Sequence, residues 1–349
     1  MEKIRDAFDF GDFSKPEKVG FAIFTLFLFV FPWLGAGSFV KTVAIQFLLF
    51  SLFGMGWNTI GGYGGQVELG QAQYVGIGAY TVALTMVWWK IPFWASMPIG
   101  VLIAIGYSFM IGYPLFRLKG HYFAIATICT SLVLQDIFIN WKLVGAAKGI
   151  ELPIHEHPDF LYMQFKSDNY YFYFIMALFY TAIFYMNWFR KSKLGYQLRM
   201  IKEDEEAAES LGIDARWCKI KAYSIASAFV AVGGGFMAVY NFYIDPYSVM
   251  DLDLSIKIAL MSMLGGAGSM WGPMIGSCFL VPLDRFLGSW LGAQKGLIGV
   301  DFMIYAALIM VVSAYQPRGI WGIIEQFRKK MIPNPSPLDA GLPVSRGGG

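Results

Sequence analysis

Four polar residues stand in stretches that are otherwise apolar, and they are the first candidates for chemistry in this chain. Gln66, Glu68 and Gln71 lie between two long apolar runs, and Lys257 lies within another. An ionisable group at membrane depth is costly and usually faces a cavity or a partner. These four residues are therefore candidates for a polar pathway that a solute follows. Two alternatives stay open. One places Glu68 in water at the membrane interface. The other pairs Lys257 with Asp253 one turn earlier, and for the lysine we prefer this pair.

The sequence gives little support to an enzyme active site. The sequence shows no set of nucleophile, histidine and acid, so we predict no catalytic residue. His155 and His157 form a close pair without a cysteine near them, and we predict no metal site. The three cysteines are scattered and odd in number, which argues against a disulfide framework. The sequence has no GxxxxGK[ST] phosphate loop, so we expect this chain to bind no nucleotide cofactor itself.

The composition indicates which elements must position these residues. Of 349 residues, 56% are hydrophobic and only 15% are charged, with a mean hydropathy of +0.52. Soluble domains carry about 25% charged residues, and a membrane-spanning helix needs roughly 20 apolar ones. The sequence therefore predicts an all-α, polytopic membrane helix bundle with about ten transmembrane helices, some of them broken by glycine. The predicted helices are 19–34, 38–60, 72–90, 92–116, 121–140, 170–189, 221–243, 254–268, 271–290 and 298–316.

Glycines mark the places where helices end early or pack closely. The eighth predicted helix, 254–268, is short and is interrupted by three glycines, which is typical of a half-helix or a re-entrant segment. Glycines spaced four residues apart let two helices approach each other. Alternatively, they break a helix and leave backbone groups free to line a pathway. The pairs with this spacing are Gly61 with Gly65 and Gly272 with Gly276.

Basic residues predict the orientation of the chain. Cytoplasmic loops of membrane proteins carry an excess of lysine and arginine. The densest basic run lies in the loop 190–221, and the segment 1–18 and the partly disordered tail 317–349 are also basic. Even numbers of predicted helices separate these regions, so we expect all three in the cytoplasm, with 19–316 as the transmembrane domain. The acidic connections expected on the opposite side are 141–169 and 245–253.

The basic loop has a pattern of its own. Its apolar residues recur near helical spacing, which predicts an amphipathic helix within the loop. Lys202 and Glu206 are spaced to pair on that helix, and Gly212 can reverse the chain after it. An ordinary solvated connector is the alternative. The apolar positions are Leu194, Leu198, Ile201, Ala208 and Leu211.

Three sequence blocks together resemble one known family. They are RMIKEDEEAAESLG at 199–212, GGYGGQVELGQAQYVGIGAYT at 61–81 and SMLGGAGSMWGPMIGS at 262–277. The first contains the Glu-Ala-Ala…Gly signature of bacterial ABC-importer permeases. In order and spacing, all three resemble the branched-chain amino acid ABC-importer permease family from about residue 45 to 290.

That resemblance implies a role for the basic loop. In the family, the Glu-Ala-Ala loop couples the permease to its ATPase, so Glu206, Ala207, Ala208 and Gly212 are expected to contact the motor. The implied partners are two ATP-binding subunits, which hold ATP and Mg, a homologous second permease and an extracytoplasmic solute-binding protein, in the bacterial inner membrane. We expect membrane lipid, but no nucleic acid, around the chain. A secondary transporter driven by an ion gradient is the rival function, although it would have no use for this loop.

Departures from the family pattern concern the solute. The family commonly has a small polar residue at the position of Glu68 and often a histidine at that of Gln71. Its outward loop usually reads Thr-Gly-Gly…Gly-Ile, whereas 144–150 reads VGAAKGI here. This suits a solute other than leucine, isoleucine or valine. Another amino acid, urea, a short amide or a small molecule with a carboxylate all stay open.

Overall fold

The computed structural model describes residues 15–35, 37–154, 159–295, 303, 307 and 319–322. Most of this chain is helical, which confirms the all-α class. The helices are α1 (Lys15–Val30), α2 (Ser38–Trp57), α3 (Ala72–Trp88), α4 (Phe93–Leu115), α5 (His121–Asn140), α6 (Asp168–Lys191), α7 (Lys193–Glu203), α8 (Glu205–Ser210), α9 (Ala215–Asn241), α10 (Pro246–Val249), α11 (Leu252–Gly266) and α12 (Gly272–Lys295). Most of the predicted segments 1–18, 298–316 and 317–349, and the pair His155 and His157, lie outside the described residues.

Several helices can cross a membrane. Within the described residues, five are long and apolar enough, and they confirm a polytopic membrane protein. They are α2 with the turn that follows it, α4, α5, α6 and α9. The other predicted spans correspond to α1, α3, α11 and α12 or lie outside the described residues, so the number ten is not confirmed.

The eighth predicted segment is a short helix, as the half-helix interpretation expects. Helix α11 has 15 residues. At 1.5 Å per residue it is about 22 Å long, less than the roughly 30 Å of a hydrocarbon core. It ends at glycines with positive φ angles, +124° at Gly266 and +83° at Gly268. These conformations, which favour glycine, turn the chain into α12.

Glycines allow α3 and α9 to pack with their backbones in close approach. A Cβ atom on Gly78 would collide with the carbonyl of Ala231, and one on Gly234 with the carbonyl of Val75. The same holds between α11 and α12, where a Cβ on Gly276 would meet the carbonyl of Met261. The packing role predicted for that glycine is therefore confirmed. Buried aromatic rings fill the space around these crossings, among them Tyr74, Tyr223, Phe53 and Phe236.

Substituting alanine for Gly234 should destabilise the α3–α9 crossing. The added methyl group has no room against the backbone of Val75, so α3 and α9 must separate. Such overpacking costs about 1–3 kcal/mol. We expect a lower melting temperature for Gly234→Ala in detergent, measured by tryptophan fluorescence. Gly106→Ala is the matched control, because nothing lies within 4 Å of a Cβ there; equal melting temperatures for the two variants would contradict the packing.

The chain between α2 and α3 leaves the helical conformation inside the bundle. Helix α2 continues into a π-helical turn, Asn58–Gly62, and the residues from there to Gln71 form no helix or strand. At the start of this stretch, the Gly268 amide, just after α11, donates to Asn58 Oδ1 at 2.8 Å. At its end, the Ala72 amide donates to Ser255 Oγ, in the first turn of α11, at 2.8 Å. The stretch 63–71, here called the extended segment, therefore runs along most of α11.

Two connections meet on one side of the bundle. The strands β1 (Ile150–Glu151) and β2 (Tyr243–Ile244) pair antiparallel, with Ile150 opposite Ile244 and Glu151 opposite Tyr243. The first strand belongs to the loop after α5 and the second follows α9. The two predicted acidic connections thus lie on the same side of the molecule, as their charge pattern indicated.

Candidate functional site

The basic loop folds as two helices, where its apolar pattern predicted one. Asp204 is extended and caps α8, accepting a hydrogen bond from the Ala207 amide at 3.0 Å. Asp214 caps α9 in the same way, accepting a hydrogen bond from the Trp217 amide at 3.0 Å. Capping by aspartate satisfies amides that a helix start leaves unpaired, so each aspartate begins a new helix. Between them Gly212 has φ +80° and reverses the chain, as predicted.

The break at Asp204 changes where several side chains point. Lys202 does not share a helix with Glu206; its Nζ donates to the Gly62 carbonyl at 2.9 Å, so the predicted Lys202–Glu206 pair is wrong. Leu211, predicted on the inward apolar face, is 71% exposed. Both errors arise because helical spacing was counted through an extended residue.

The four residues of the Glu-Ala-Ala…Gly signature lie on α8 and the turn after it. Glu206, Ala207 and Gly212 are exposed, whereas Ala208 is 2% exposed and faces the protein. Glu205 forms an ion pair with the buried Lys219 of α9, with 2.8 Å between Oε2 and Nζ. This pair fixes α8 on α9 and leaves its outer face free of contacts with the bundle. The sequence reasoning did not select two exposed apolar residues of the same loop, Leu211 and Trp217.

Glu68 lies in the middle of the extended segment and is fully buried. Its carboxylate accepts a hydrogen bond from the Gln71 side chain, and its backbone carbonyl accepts one from Trp57 Nε1 at 2.7 Å. The next amide, of Leu69, donates to Thr127 Oγ1 of α5 at 3.1 Å. The alternative of a carboxylate in water at the interface is therefore wrong for Glu68. Gln66 is only half-buried, nearer the cytoplasm-proximal end of the segment in the predicted orientation.

Polar side chains of α3, α4 and α9 surround the Glu68 region. Tyr107 donates to Gln73 Oε1 at 3.1 Å, and Gln73 Nε2 donates to the hydroxyl of Tyr223 at 3.4 Å. Glu68 Oε1 and Gln71 Oε1 are two of the six buried side-chain oxygens of the described residues that have no hydrogen-bond partner. A buried polar oxygen without a partner is unusual, because it costs about 1–3 kcal/mol. This cluster is therefore a polar site inside an otherwise apolar bundle.

Lys257 lies in a different place, an open cleft of about 400 Å³ between α2, α9, α11 and α12. Its Nζ is 3.3 Å from Asp284 Oδ1 of α12, an ion pair that the sequence reasoning did not foresee when it chose Asp253. Asp253 also lines the cleft, and Arg285 donates to the Gln46 side chain beside it. The cleft thus combines both signs of charge on helices that otherwise carry apolar residues.

The structure does not bring the four pathway candidates together. Ser255, which binds the start of α3, and Lys257 are two residues apart on α11, so they point to different sides of it. Glu68 and Gln71 lie on the first side, within the bundle, and Lys257 on the second, in the cleft. Helix α11 therefore separates two polar sites. Within the described residues, no three His, Cys, Asp or Glu side chains are grouped to hold a metal ion.

Comparison with known proteins identifies the family to which this helix bundle belongs. A family model described as the permease component of the branched-chain amino acid transport system matches residues 39–313. The chain belongs to this permease family. All three sequence blocks that suggested the resemblance lie inside the matched range, which confirms it. A permease moves a solute across a membrane, so this is a transport protein.

Individual relatives of the permease are of two kinds. The branched-chain amino acid permease LivM of Escherichia coli (strain K12) is 27% identical over 303 residues, covering 80% of this chain and 69% of LivM. The probable LivM of Methanocaldococcus jannaschii is 25% identical over 326 residues, covering 80% of this chain and 92% of its own length. LivH of Salmonella typhimurium is 29% identical over 133 residues, 38% of this chain and 41% of LivH. No solved structure matches the permease.

Proposed function

We propose that this permease is a membrane subunit of an ATP-driven ABC importer and carries a small polar solute across the bacterial inner membrane. The observation that carries this proposal is helix α8. Its exposed residues Glu206 and Ala207 and the turn at Gly212 form a projecting face in a chain of the permease family. The ion pair from Glu205 to Lys219 holds that face on α9. A fixed, projecting helix is suited to docking in a cleft of another protein.

The partners follow from the same proposal. Two ATP-binding subunits would dock on such loops and hold ATP and Mg, so the basic loop 190–221 is called the coupling loop from here on. A solute-binding protein would deliver the solute to the opposite face. A second, homologous permease would complete the pathway. Similarity to both LivM and LivH supports a family of related permease chains. The basic regions, including 190–221, would then lie in the cytoplasm.

Both polar sites are proposed as parts of the solute pathway. The extended segment offers Gln66, Glu68 and Gln71 within the bundle, where non-helical backbone is tolerated only in protein or beside water. The cleft offers Lys257 and Arg285 beside acidic residues. Charged residues within membrane proteins face the bundle interior or a water-filled cavity rather than lipid. A small polar solute, such as an amino acid, urea or an amide, fits such a pathway.

The decisive experiment is a mild-detergent purification of the tagged permease from its native membrane, with partners identified by mass spectrometry. Recovery of an ATPase and a second permease is the expected result. Recovery of the chain alone, under conditions that preserve a known ABC complex, would favour an ion-gradient-driven transporter instead. ATP-dependent uptake that persists when proton and sodium gradients are abolished would separate the two functions in the same preparation.

The ion pair across the cleft should tolerate exchange but not loss. Lys257 Nζ and Asp284 Oδ1 are 3.3 Å apart, so Lys257→Asp or Asp284→Lys alone places two like charges at this contact between α11 and α12. The pair is partly buried, so each single change should cost about 1–3 kcal/mol, between the values for exposed and buried pairs. Lys257→Asp combined with Asp284→Lys should restore most of this stability, measured as the melting temperature in detergent. A double variant as unstable as the two single changes added together would show that the pair does not join the helices.

A further inference from the structure

Lys202 connects the coupling loop to the extended segment, a contact between parts of the chain 140 residues apart. Its side chain leaves the last turn of α7, and Nζ donates to the Gly62 carbonyl at 2.9 Å, at the end of the π-helical turn. The same side chain lies over Gly65, where a Cβ atom would come within 2.8 Å of Lys202 Cγ. Gly65 has φ +67°, so glycine here serves both the turn and the approach of the lysine.

A second contact from α7 reaches Tyr63, which follows Gly62 directly. The guanidinium of Arg199 lies 5.1 Å from the ring centre of Tyr63. The ring of Tyr63 also packs against that of Phe189 at the end of α6, edge to face, with 5.6 Å between ring centres. Helix α7 therefore holds the first residues of the extended segment from two side chains, spaced one turn apart on its own surface.

The same point is tied to α11 and α12. Asn58 accepts from the Gly268 amide and donates to the Ser269 carbonyl, both at 2.8 Å, in the turn between these helices. The Cβ position of Gly268 is 3.5 Å from Lys202 Nζ. The coupling loop, the π-helical turn and the α11–α12 turn thus meet at one junction. Lys202 reaches this junction from the loop and binds the Gly62 carbonyl there.

The extended segment is suited to transmit a displacement at this junction. A helix resists sliding because each turn is bonded to the next, whereas this segment is held by separate bonds from Trp57 and Thr127. We propose that Lys202 is a positioning residue, which passes a movement of the docked coupling loop to the extended segment and so to Glu68. This inference rests on the proposed function, because it needs an ATPase docked on α8.

The test follows the segment itself rather than an unidentified solute. Gln66, half-buried within the segment, is replaced by cysteine in a chain whose own three cysteines are changed to serine. The assembled complex is treated with a methanethiosulfonate ethylammonium reagent, with and without ATP, Mg and vanadate. We expect nucleotide to change the labelling rate of Gln66→Cys by about fivefold or more, the lower range for coupled sites. Lys202→Met should abolish that change while the complex still assembles and hydrolyses ATP, and Lys202→Arg should retain it.

Lys221→Met is the matched control, since Lys221 is exposed on α9 in the same loop. In this variant the labelling rate of Gln66→Cys should respond to nucleotide as it does in the parent. A response that survives Lys202→Met would overturn the proposal, and so would a parent complex whose labelling rate ignores nucleotide. Loss of the ATPase from the parent complex is a different result. That loss would contradict the proposed function, and it is read from the purification before any labelling.

Discussion

Glu206→Lys should release the ATPase subunits from the permease while the permease itself stays folded. Glu206 is exposed in the first turn of α8, and the bundle makes no use of its side chain. Reversing its charge alters only the docking face, apart from a dipole effect of about 0.3–1 kcal/mol on α8. A factor of ten in affinity corresponds to about 1.4 kcal/mol, and like charges placed together at an interface cost several kcal/mol of binding free energy. The amount of ATPase recovered should therefore fall by at least about tenfold.

The measurement is co-purification of the tagged permease, with the ATPase quantified per permease. Glu151→Lys is the matched control: it makes the same charge change at an exposed residue of β1, on the side of the bundle where β1 and β2 pair. It should keep the ATPase bound. If Glu206→Lys retained as much ATPase as the control, α8 would not be the docking surface.

Glu68→Ala should abolish most uptake and leave assembly nearly intact. Glu68 is fully buried, and its loss leaves the Gln71 amide without its carboxylate acceptor. That defect costs about 1–3 kcal/mol locally. The contacts of Trp57 and Thr127 with the segment use backbone groups and remain. The substitution changes the polar lining of the proposed pathway, and ionisable residues inside membrane proteins usually serve function. We therefore expect solute uptake by the complex to fall by about tenfold or more.

Uptake is measured in cells or liposomes containing the complex, and assembly by co-purification from the same membranes. Gln164→Ala is a suitable control, because Gln164 is 4% exposed and donates to the Pro153 carbonyl in the loop after α5, away from the extended segment. It should transport normally if it assembles. Normal transport by Glu68→Ala would remove Glu68 from the pathway, and failure of Glu68→Ala to assemble while Gln164→Ala assembles would assign Glu68 to folding.

Local patterns gave most of the helices. Apolar runs placed α2 and α5 within a few residues, and 121–140 agrees with His121–Asn140. The start of α3 at Ala72 also agrees. The break in the coupling loop was missed, although its signal was present: Asp204 precedes two glutamates, a combination typical of a helix start. A hydrophobic period counted through a capping residue gives one helix in place of two.

The contacts of the candidate sites could not be derived in this way. Lys257 and Asp284 are 27 residues apart, and Lys202 and Gly62 are 140 apart. Such pairs depend on how helices pack, which a single sequence does not specify. For Lys257 the sequence offered a partner one turn away, Asp253, but it gave no sign of Asp284, which a neighbouring helix supplies. The polar residues of both sites were predictable because such residues are rare in apolar surroundings. That α11 separates them into two sites was not predictable.

The extended segment also constrains the order in which this protein can be made. A stretch without helical hydrogen bonds cannot enter lipid alone, because its amides and carbonyls would lack partners. Some of its bonds come from Thr127 on α5, and the start of α3 is bonded to Ser255 on α11, both synthesised later. Residues 63–71 therefore need water or a chaperone to pair their backbone groups until the residues up to Ser255, more than half of the chain, have been synthesised. Membrane insertion of α2 and final placement of Glu68 are separate events in its biogenesis.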